Sequence, residues 1–370
     1  MKVLMTADTV GGVWIYAVEL ARALGGEGVG VALATQGAPL TEDQRRQVRG
    51  LDHVELFESA YKLEWMDDPW DDVARCSGWL LELASRVKPD VVHLNQYAYG
   101  GLPFRAPTLV VGHSCVLSWW EACRKDFPPA SWERYRQEVA HGLSTADAVV
   151  APSGAMLSAL RRHYGPLPDA RVILNGRDPS ERSPAPKEPL VLSAGRLWDA
   201  AKNVAALEDV APRLPWAVVV AGDGRETGEG APRPGKVHPL GKVPPRALAG
   251  WFSRAAIYAL PARYEPFGLS VLEAAQAGCA LVLGDIASQR ELWDGAAVFV
   301  PPDDHAALEA ALHALIASPQ CRSALGQQAR ERALALTPER MAAGYAALYR
   351  ELAPPRTAYR TTTEVTACAS

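Results

Sequence analysis

The sequence lacks any apolar run close to the ~20 residues that a membrane-spanning helix requires, which excludes an integral helical membrane protein. It also lacks a recognisable secretory signal, because the stretch from Met1 to Thr6 is too short and runs straight into a glycine turn. We therefore expect a cytoplasmic protein whose first residues form a β-strand. A hydrophobic share of 48% and a charged share of 22% are those of a globular chain that buries a sizeable core.

Neither half of the chain has an excess of positive charge. Residues 1–180 contain 18 lysines and arginines against 22 aspartates and glutamates, and residues 181–370 contain 20 against 20. This near balance excludes broad electrostatic attachment to nucleic acid. A weak association with a membrane surface stays open, with a small amphipathic face formed by Leu157, Leu160, Arg161 and Arg162.

The six cysteines show no paired metal-ligand spacing, so we expect reduced thiols. A nucleophilic pair of Cys115 with His113 is an alternative, but a residue two positions along a turn usually points elsewhere. The dinucleotide fingerprint is also missing, because the glycines that follow Ala221 do not have its spacing. That absence argues against an NAD-dependent enzyme.

Short β-branched runs do occur, and they alternate with helical patterns, as in parallel sheets that are buried on both faces. They fall into two blocks. The first block has predicted strands at 3–6, 29–34, 54–57, 91–94, 109–111 and 148–151, and the second at 190–194, 217–221, 257–260, 280–283 and 298–300.

Between the blocks, Asn175-Gly176 signals a turn and the stretch from Ser183 to Pro189 is rich in proline. A chain of 370 residues is long enough for two domains. The predicted segments are a first domain over residues 1–176, a linker over 177–189, a second domain over 190–336, a final helix over 337–353 and a disordered tail over 354–370.

Two carboxylates, Glu265 and Glu273, flank a predicted bend that opens into a helix. Pro266 donates no backbone hydrogen bond and Gly268 tolerates unusual dihedral angles, so the chain can turn sharply there and leave free N–H groups at the helix start. Such N–H groups bind phosphate. The carboxylates alone could be ordinary solvated charges near a helix start. Two cations after a strand-like run, Arg196 and Lys202, favour a diphosphate site instead.

In this combination the chain resembles the retaining glycosyltransferases of family 4, also called group 1. The matching segments are Thr9 to Val13, His113, Asn175-Gly176, Gly195-Arg196, Lys202 and the block from Glu265 to Glu273. The resemblance implies the α/β fold named GT-B, with two Rossmann-like domains whose parallel sheets face an interdomain cleft. It also implies that the last helix crosses back onto the N-terminal domain.

The resemblance assigns roles to several residues. Arg196 and Lys202 would hold the donor pyrophosphate, Glu273 would bind the ribose, and Glu265 would contact hydroxyls of the transferred sugar. The remaining donor contacts would come from Gly11, Gly12, Phe267, Gly268 and Leu269. The catalytic group would consist of His113, Arg196, Lys202 and Glu265.

His113 follows a predicted strand, and its role stays open between a proton shuttle, a sugar contact and a backbone contact beside the reaction centre. A structural histidine is the ordinary alternative.

We therefore expect a hexosyltransferase that moves a sugar from a nucleoside diphosphate sugar, UDP- or GDP-linked, to a hydroxyl acceptor, with retention and without a metal or other cofactor. The acceptor would be a sugar, a lipid-linked molecule or a small molecule, bound by N-domain loops at 65–70, 96–101 and 118–124. Two alternatives are a non-hydrolysing nucleotide-sugar epimerase and a catalytically silent sugar-nucleotide-binding partner of another transferase. Nothing in the sequence indicates an oligomeric state.

Overall fold

A computed structural model describes residues 1–179, 185–224, 233 and 235–353 of the chain. Two parallel β-sheets, each flanked by helices, form two α/β units of the Rossmann-like kind. This is the predicted fold class. Residues 180–184 of the predicted linker and the predicted tail at 354–370 lie outside the described residues.

The N-terminal sheet has seven parallel strands in the order β3-β2-β1-β4-β5-β6-β7. The strands are β1 (Lys2–Asp8), β2 (Gly30–Gln36), β3 (Val54–Phe57), β4 (Val91–Leu94), β5 (Thr108–Val111), β6 (Ala148–Ala151) and β7 (Ala170–Val172). The helices around it are α1 (Gly12–Leu24), α2 (Glu42–Val48), α3 (Trp70–Val87), α4 (Val116–Arg124), α5 (Glu133–Thr145) and α6 (Gly154–Tyr164).

The C-terminal sheet has six parallel strands in the order β10-β9-β8-β11-β12-β13. The strands are β8 (Glu188–Ala194), β9 (Ala217–Ala221), β10 (Val237–Gly241), β11 (Ala255–Leu260), β12 (Ala280–Gly284) and β13 (Ala297–Val300). The helices that follow Lys187 are α7 (Val204–Val210), α8 (Pro245–Arg254), α9 (Leu269–Gln276), α10 (Ala287–Trp293), α11 (His305–Ala317), α12 (Pro319–Ala333) and α13 (Pro338–Leu352).

The sequence analysis missed two strands, β7 and β10, which are the last strands at one edge of their sheets. β7 is three residues long and half-buried, so it lacks the apolar run of a central strand. β10 contains His238 and Pro239, and proline is tolerated in an edge strand because one side of the backbone makes no ladder hydrogen bonds. β8 begins at Glu188, inside the predicted linker.

Helix α13 packs on the N-terminal domain although it follows the C-terminal domain in the chain. Its buried residues Met341, Tyr345 and Tyr349 lie in one apolar core with Trp14 and Tyr16 of α1. The chain therefore passes twice between the domains.

The two passages touch each other. The Arg177 N–H donates to the Leu336 carbonyl at 3.1 Å, and a Cβ on Gly176 would overlap the carbonyl of Thr337. Only glycine fits at residue 176 while the two segments cross so closely. These segments, 176–177 and 336–337, form a double crossing between the domains.

None of the helices in the described part of the chain is long and apolar enough to cross a bilayer. The amphipathic face proposed on α6 is wrong, because Leu157 and Leu160 are only 5% and 0% exposed and pack in the N-domain core. Their side chains are therefore not available to a lipid surface.

Candidate functional site

The loop between β11 and α9 positions both predicted carboxylates. Gly268 precedes α9 with a φ of +92°, and a Cβ there would lie 3.0 Å from a methyl of Val271. Glycine therefore allows the turn from which the helix starts. The first N–H groups of α9 have no intrahelical partner and can bind an anion. Leu269 in this first turn lies against Gly12 of the N-terminal domain, so the helix start borders the cleft.

Glu265 and Lys202 form an ion pair in which both side chains are mostly buried. The backbone of Glu265 is fixed by α10, because Ser288 Oγ donates to its carbonyl at 2.6 Å. Gln289 Nε2 donates to the carbonyl of Phe267 at 3.0 Å, and the ring of Phe267 is buried in the C-domain core. Two residues that the sequence analysis assigned to the site separately thus meet in space, although they are 63 positions apart in the chain.

Arg196 follows β8 and lies across the cleft from the glycine turn of the N-terminal domain. A Cβ on Gly11 would lie 3.8 Å from an Nη of Arg196. The guanidinium is 2.8 Å from an oxygen of Asp199 and stacks on Trp198 at 5.4 Å. Asp199 also accepts from Trp119 Nε1 of the N-terminal domain at 2.9 Å.

Burial alone would raise the pKa of Asp199, but hydrogen bonds from Trp119 and from the Ala201 N–H, together with the charge of Arg196, lower it. The carboxylate therefore stays ionised and holds Arg196 at the cleft. A fixed arginine at this position can meet a diphosphate without further ordering.

Gly11 and Gly12 form the start of α1. Gly11 has a φ of +96°, which favours glycine, and neither residue would have a neighbour closer than 3.6 Å at its Cβ position. The missing side chains leave room between the two domains beside Arg196 and Leu269. The predicted glycine turn and the predicted cation therefore face the same space.

Glu273 is bound by an arginine that the sequence analysis did not single out. Arg177 Nε donates to Glu273 Oε1 at 2.8 Å, and the same guanidinium forms an ion pair with Glu19 of α1. The Gln276 side chain donates to the Arg177 carbonyl at 2.7 Å. The double crossing is thus bonded both to the predicted ribose ligand and to the helix that follows the glycine turn. Arg177 could have been noticed in the sequence because it is a charged residue directly after the Asn175-Gly176 turn.

His113 lies just after β5, and its Nε2 is 2.7 Å from Asn95 Oδ1. Asn95 donates its own amide N–H to the Thr6 carbonyl, so its oxygen faces the ring and Nε2 carries the proton. Loss of hydration lowers the pKa of His113 to about 3, which keeps the imidazole neutral. The ring packs edge-on against Tyr16 at 4.4 Å.

The alternative pair of Cys115 with His113 is wrong. The Cys115 sulfur is buried and lies 2.8 Å from Ser118 Oγ, while His113 bonds to Asn95. Burial raises the pKa of the Cys115 thiol, so it is a poor thiolate nucleophile.

A second polar group that the sequence analysis missed lies at the carboxyl ends of the N-domain strands. It consists of Asp8, Gln36, Glu64 and Gln96, all between 0% and 6% exposed. Burial raises the pKa of Asp8 to about 7 and also that of Glu64 to about 7. Asp8 and Gln36 lie two residues after the predicted strands 3–6 and 29–34, near the carboxyl ends of strands, where ligands bind in such sheets, and this position was the signal.

Among the described residues, no group of three or more histidine, cysteine, aspartate or glutamate side chains is arranged to hold a metal ion.

Comparison with protein-family models gives two matches that together cover most of the chain. The model named Glycosyltransferase Family 4 matches residues 10–181, and the model named Glycosyl transferases group 1 matches residues 188–318. The chain belongs to glycosyltransferase family 4. The predicted family is therefore confirmed.

Two curated relatives of this family 4 chain are enzymes with different names. It is 28% identical to D-inositol 3-phosphate glycosyltransferase of Streptomyces bingchenggensis over 244 residues. The aligned residues cover 56% of this chain and 54% of that relative. It is 29% identical to glycogen synthase of Mycobacterium tuberculosis over 206 residues, and this alignment covers 50% of each protein. The chain spans about half the length of the curated relatives it matches.

Solved structures share the fold over nearly the whole chain. Sucrose-phosphate synthase of Thermosynechococcus elongatus superposes with a TM-score of 0.78 at 20% identity, covering 95% of this chain and 99% of that one. Anabaena HepE, solved in complex with UDP and glucose, superposes with a TM-score of 0.74 at 15% identity, covering 95% and 100%. The predicted GT-B architecture of this family 4 chain is confirmed by these neighbours.

Proposed function

We propose that the chain is a retaining hexosyltransferase that moves a sugar from a nucleoside diphosphate sugar to a hydroxyl of an acceptor, forms an α-glycosidic bond and needs no metal. The observation that carries this proposal is the convergence of Arg196, the Lys202–Glu265 pair and the start of α9 on the space beside Gly11 and Gly12. Cations and a helix start around one space are suited to a diphosphate.

Arg196 and Lys202 would stabilise the negative charge that develops on the leaving diphosphate. Fixed charges in a site that excludes water contribute much of the rate of such reactions, and losing one can cost ~10²-fold or more. Lys202 is paired with Glu265 in the structure. A bound diphosphate would attract Lys202, and the Glu265 carboxylate would then accept bonds from hydroxyls of the transferred sugar.

We assign His113 to a contact with the transferred sugar and not to proton transfer. A proton shuttle works best with a pKa near the operating pH, whereas that of His113 is about 3. With Nε2–H donated to Asn95, the ring presents Nδ1 as a neutral acceptor. Glu273 would bind the ribose from its position beside Arg177.

UDP is the first donor nucleotide to test, because the solved neighbour HepE is described in complexes with UDP and with UDP-glucose. GDP- and ADP-linked sugars complete the panel. A cytoplasmic location stays a prediction from the sequence.

The test is thermal stabilisation of the purified protein by UDP, GDP, ADP and their glucose, mannose and N-acetylglucosamine derivatives. One nucleotide should raise the melting temperature, and Lys202→Ala and Glu273→Ala should abolish that shift. Arg136→Ala is the control, since Arg136 forms a half-exposed ion pair with Glu133 on α5. No shift with any nucleotide would refute the donor site.

Product analysis tests the rest of the proposal. The anomeric coupling constant in the NMR spectrum of the product reports retention, and activity that survives EDTA reports independence of a metal. Interconversion of sugar nucleotides without an acceptor would instead support the epimerase alternative. Nucleotide binding without transfer to any acceptor would support the silent partner.

A further inference from the structure

We propose that Asp8, Gln36, Glu64 and Gln96 form the acceptor subsite, and that this subsite takes an uncharged polyhydroxylated acceptor, a sugar or a cyclitol, in preference to a phosphorylated one. This inference rests on the proposed function. We call these four residues the polar floor, because they lie where the N-domain strands end below the cleft.

The sheet register brings the polar floor together. Asp8 and Gln36 are paired neighbours at the ends of β1 and β2, so their side chains share one face of the sheet. Gln96 lies two residues after Leu94, the last residue of β4, and β4 pairs with β1, so Gln96 is at the same edge of the sheet. Glu64 reaches this place from the loop after β3, where its carboxylate accepts the N–H groups of Tyr97 at 3.0 Å and Ala98 at 2.7 Å.

The two glutamines have unused hydrogen-bonding groups. Neither the nitrogen nor the oxygen of either amide has a partner among the described residues, although Gln36 is 0% and Gln96 is 4% exposed. Burying an amide without partners is costly, so such groups call for an explanation. A primary amide offers a donor and an acceptor side by side, which complements the alternating donors and acceptors of neighbouring hydroxyls.

The charges around the polar floor disfavour an anion. The charged groups that act on Asp8 are Arg196 and Glu64, and the one that acts on Glu64 is Glu138. Arg196 is the only cation in this set, and the proposed function assigns it to the donor diphosphate. Either carboxyl group would repel a phosphate monoester when it is ionised, whereas hydroxyls can bond to both its neutral and its ionised form.

The loop from Glu58 to Leu63 lies against the end of β2, beside Gln36. Gly37 N–H donates to the Tyr61 carbonyl at 2.8 Å, and the Ser59 hydroxyl donates to the Thr35 carbonyl at 2.6 Å. Gln36 is 0% exposed, so an acceptor must displace this loop to reach its amide. Binding should therefore change hydrogen exchange in residues 58–64.

The test uses Gln36→Met and Gln96→Met in the full chain, since methionine nearly conserves the volume and removes both amide groups. If the amides are merely buried, each replacement should leave transfer unchanged or stabilise the protein, because no partner is lost. If they bind the acceptor, the KM for the acceptor should rise about tenfold or more in each variant. The stabilisation by the donor nucleotide should stay. Gln137→Met, on the exposed face of α5, is the matched control.

The neutral acceptor probes are glucose, maltose and myo-inositol, and the phosphorylated probes for comparison are glucose 6-phosphate and myo-inositol 1-phosphate. The donor is the sugar nucleotide that stabilises the protein in the thermal-shift panel. Transfer to the neutral probes with a raised KM in both glutamine variants would support the proposal. Preference for a phosphorylated probe, or an unchanged KM in both variants, would overturn it.

If no probe is glycosylated, binding of glucose and myo-inositol to the nucleotide complex is measured by saturation-transfer NMR. Absence of binding by both would also overturn the proposal. Failure of every nucleotide to bind would be a different result, because it refutes the proposed function itself.

Discussion

Replacing Arg177 with methionine should destabilise the protein through the two glutamates that share its guanidinium. The side chain of Arg177 is 16% exposed, and those of Glu19 and Glu273 are 3% and 11% exposed. Removing one partner of a buried ion pair typically costs about 3–5 kcal/mol, because a charge is left in a poorly solvated place. The most buried carboxylate, Glu19, sets most of this cost.

The free energy of unfolding can be followed by urea titration with tryptophan fluorescence, since the chain contains 11 tryptophans. Arg177→Met should lose about 3–5 kcal/mol. The double variant Glu19→Gln with Arg177→Met should recover part of that loss, because one stranded charge is removed. Arg136→Met serves as the control, since exposed ion pairs contribute about 1 kcal/mol or less. A loss below about 1 kcal/mol for Arg177→Met would refute the argument that the guanidinium compensates buried charge.

Three further outcomes are expected. The pKa of Glu64 is raised from its ordinary 4.5 to about 7, so Glu64 should make the free energy of unfolding fall by about 3 kcal/mol as the pH rises from about 4 to 8 in urea titrations. Glu64→Gln should remove that pH-dependent contribution, although it should lower stability at every pH because its amide nitrogen cannot accept one of the two backbone N–H bonds; equal pH profiles would contradict this. Gly268→Ala should cost about 1–3 kcal/mol and weaken nucleotide binding in a thermal-shift assay, whereas Gly50→Ala, with a similar φ of +90° and open space at its Cβ, should leave binding unchanged. His113→Ala should lower turnover far more than nucleotide affinity, and wild-type turnover should show no ionisation of His113 between pH 5 and 8; full activity of the variant would discard its sugar contact.

The central strands and the loop between β11 and α9 were predictable because their signals are local. Continuous apolar runs mark strands buried on both faces, and the proline and glycine around Glu265 mark a bend before a helix. The resemblance to the family assigned residues of distant segments, such as Lys202 and Glu265, to one site, which no local pattern does. The sequence therefore predicted two parallel sheets, one in each domain, and the order of the two domains along the chain.

The edge strand β10 and the residues Arg177 and Gln36 could not be found in the same way. β10 has a composition that is ordinary for a loop, and only the ladder with β9 makes it a strand. The importance of Arg177 depends on the crossing of two chain segments, and that of Gln36 on its unpaired amide. Both properties arise from tertiary packing, which a single sequence does not reveal.

The return of α13 to the N-terminal domain has a consequence for biosynthesis. The core around Trp14 and Tyr16 is closed by Tyr345 and Tyr349, which the ribosome delivers only after the whole C-terminal domain. At ~5–20 residues per second, the interval between residue 177 and residue 338 lasts roughly ten to thirty seconds. During that time the apolar residues around Trp14 and Tyr16 lack their cover. We therefore expect a chaperone on the ribosome to bind the nascent N-terminal domain at this surface.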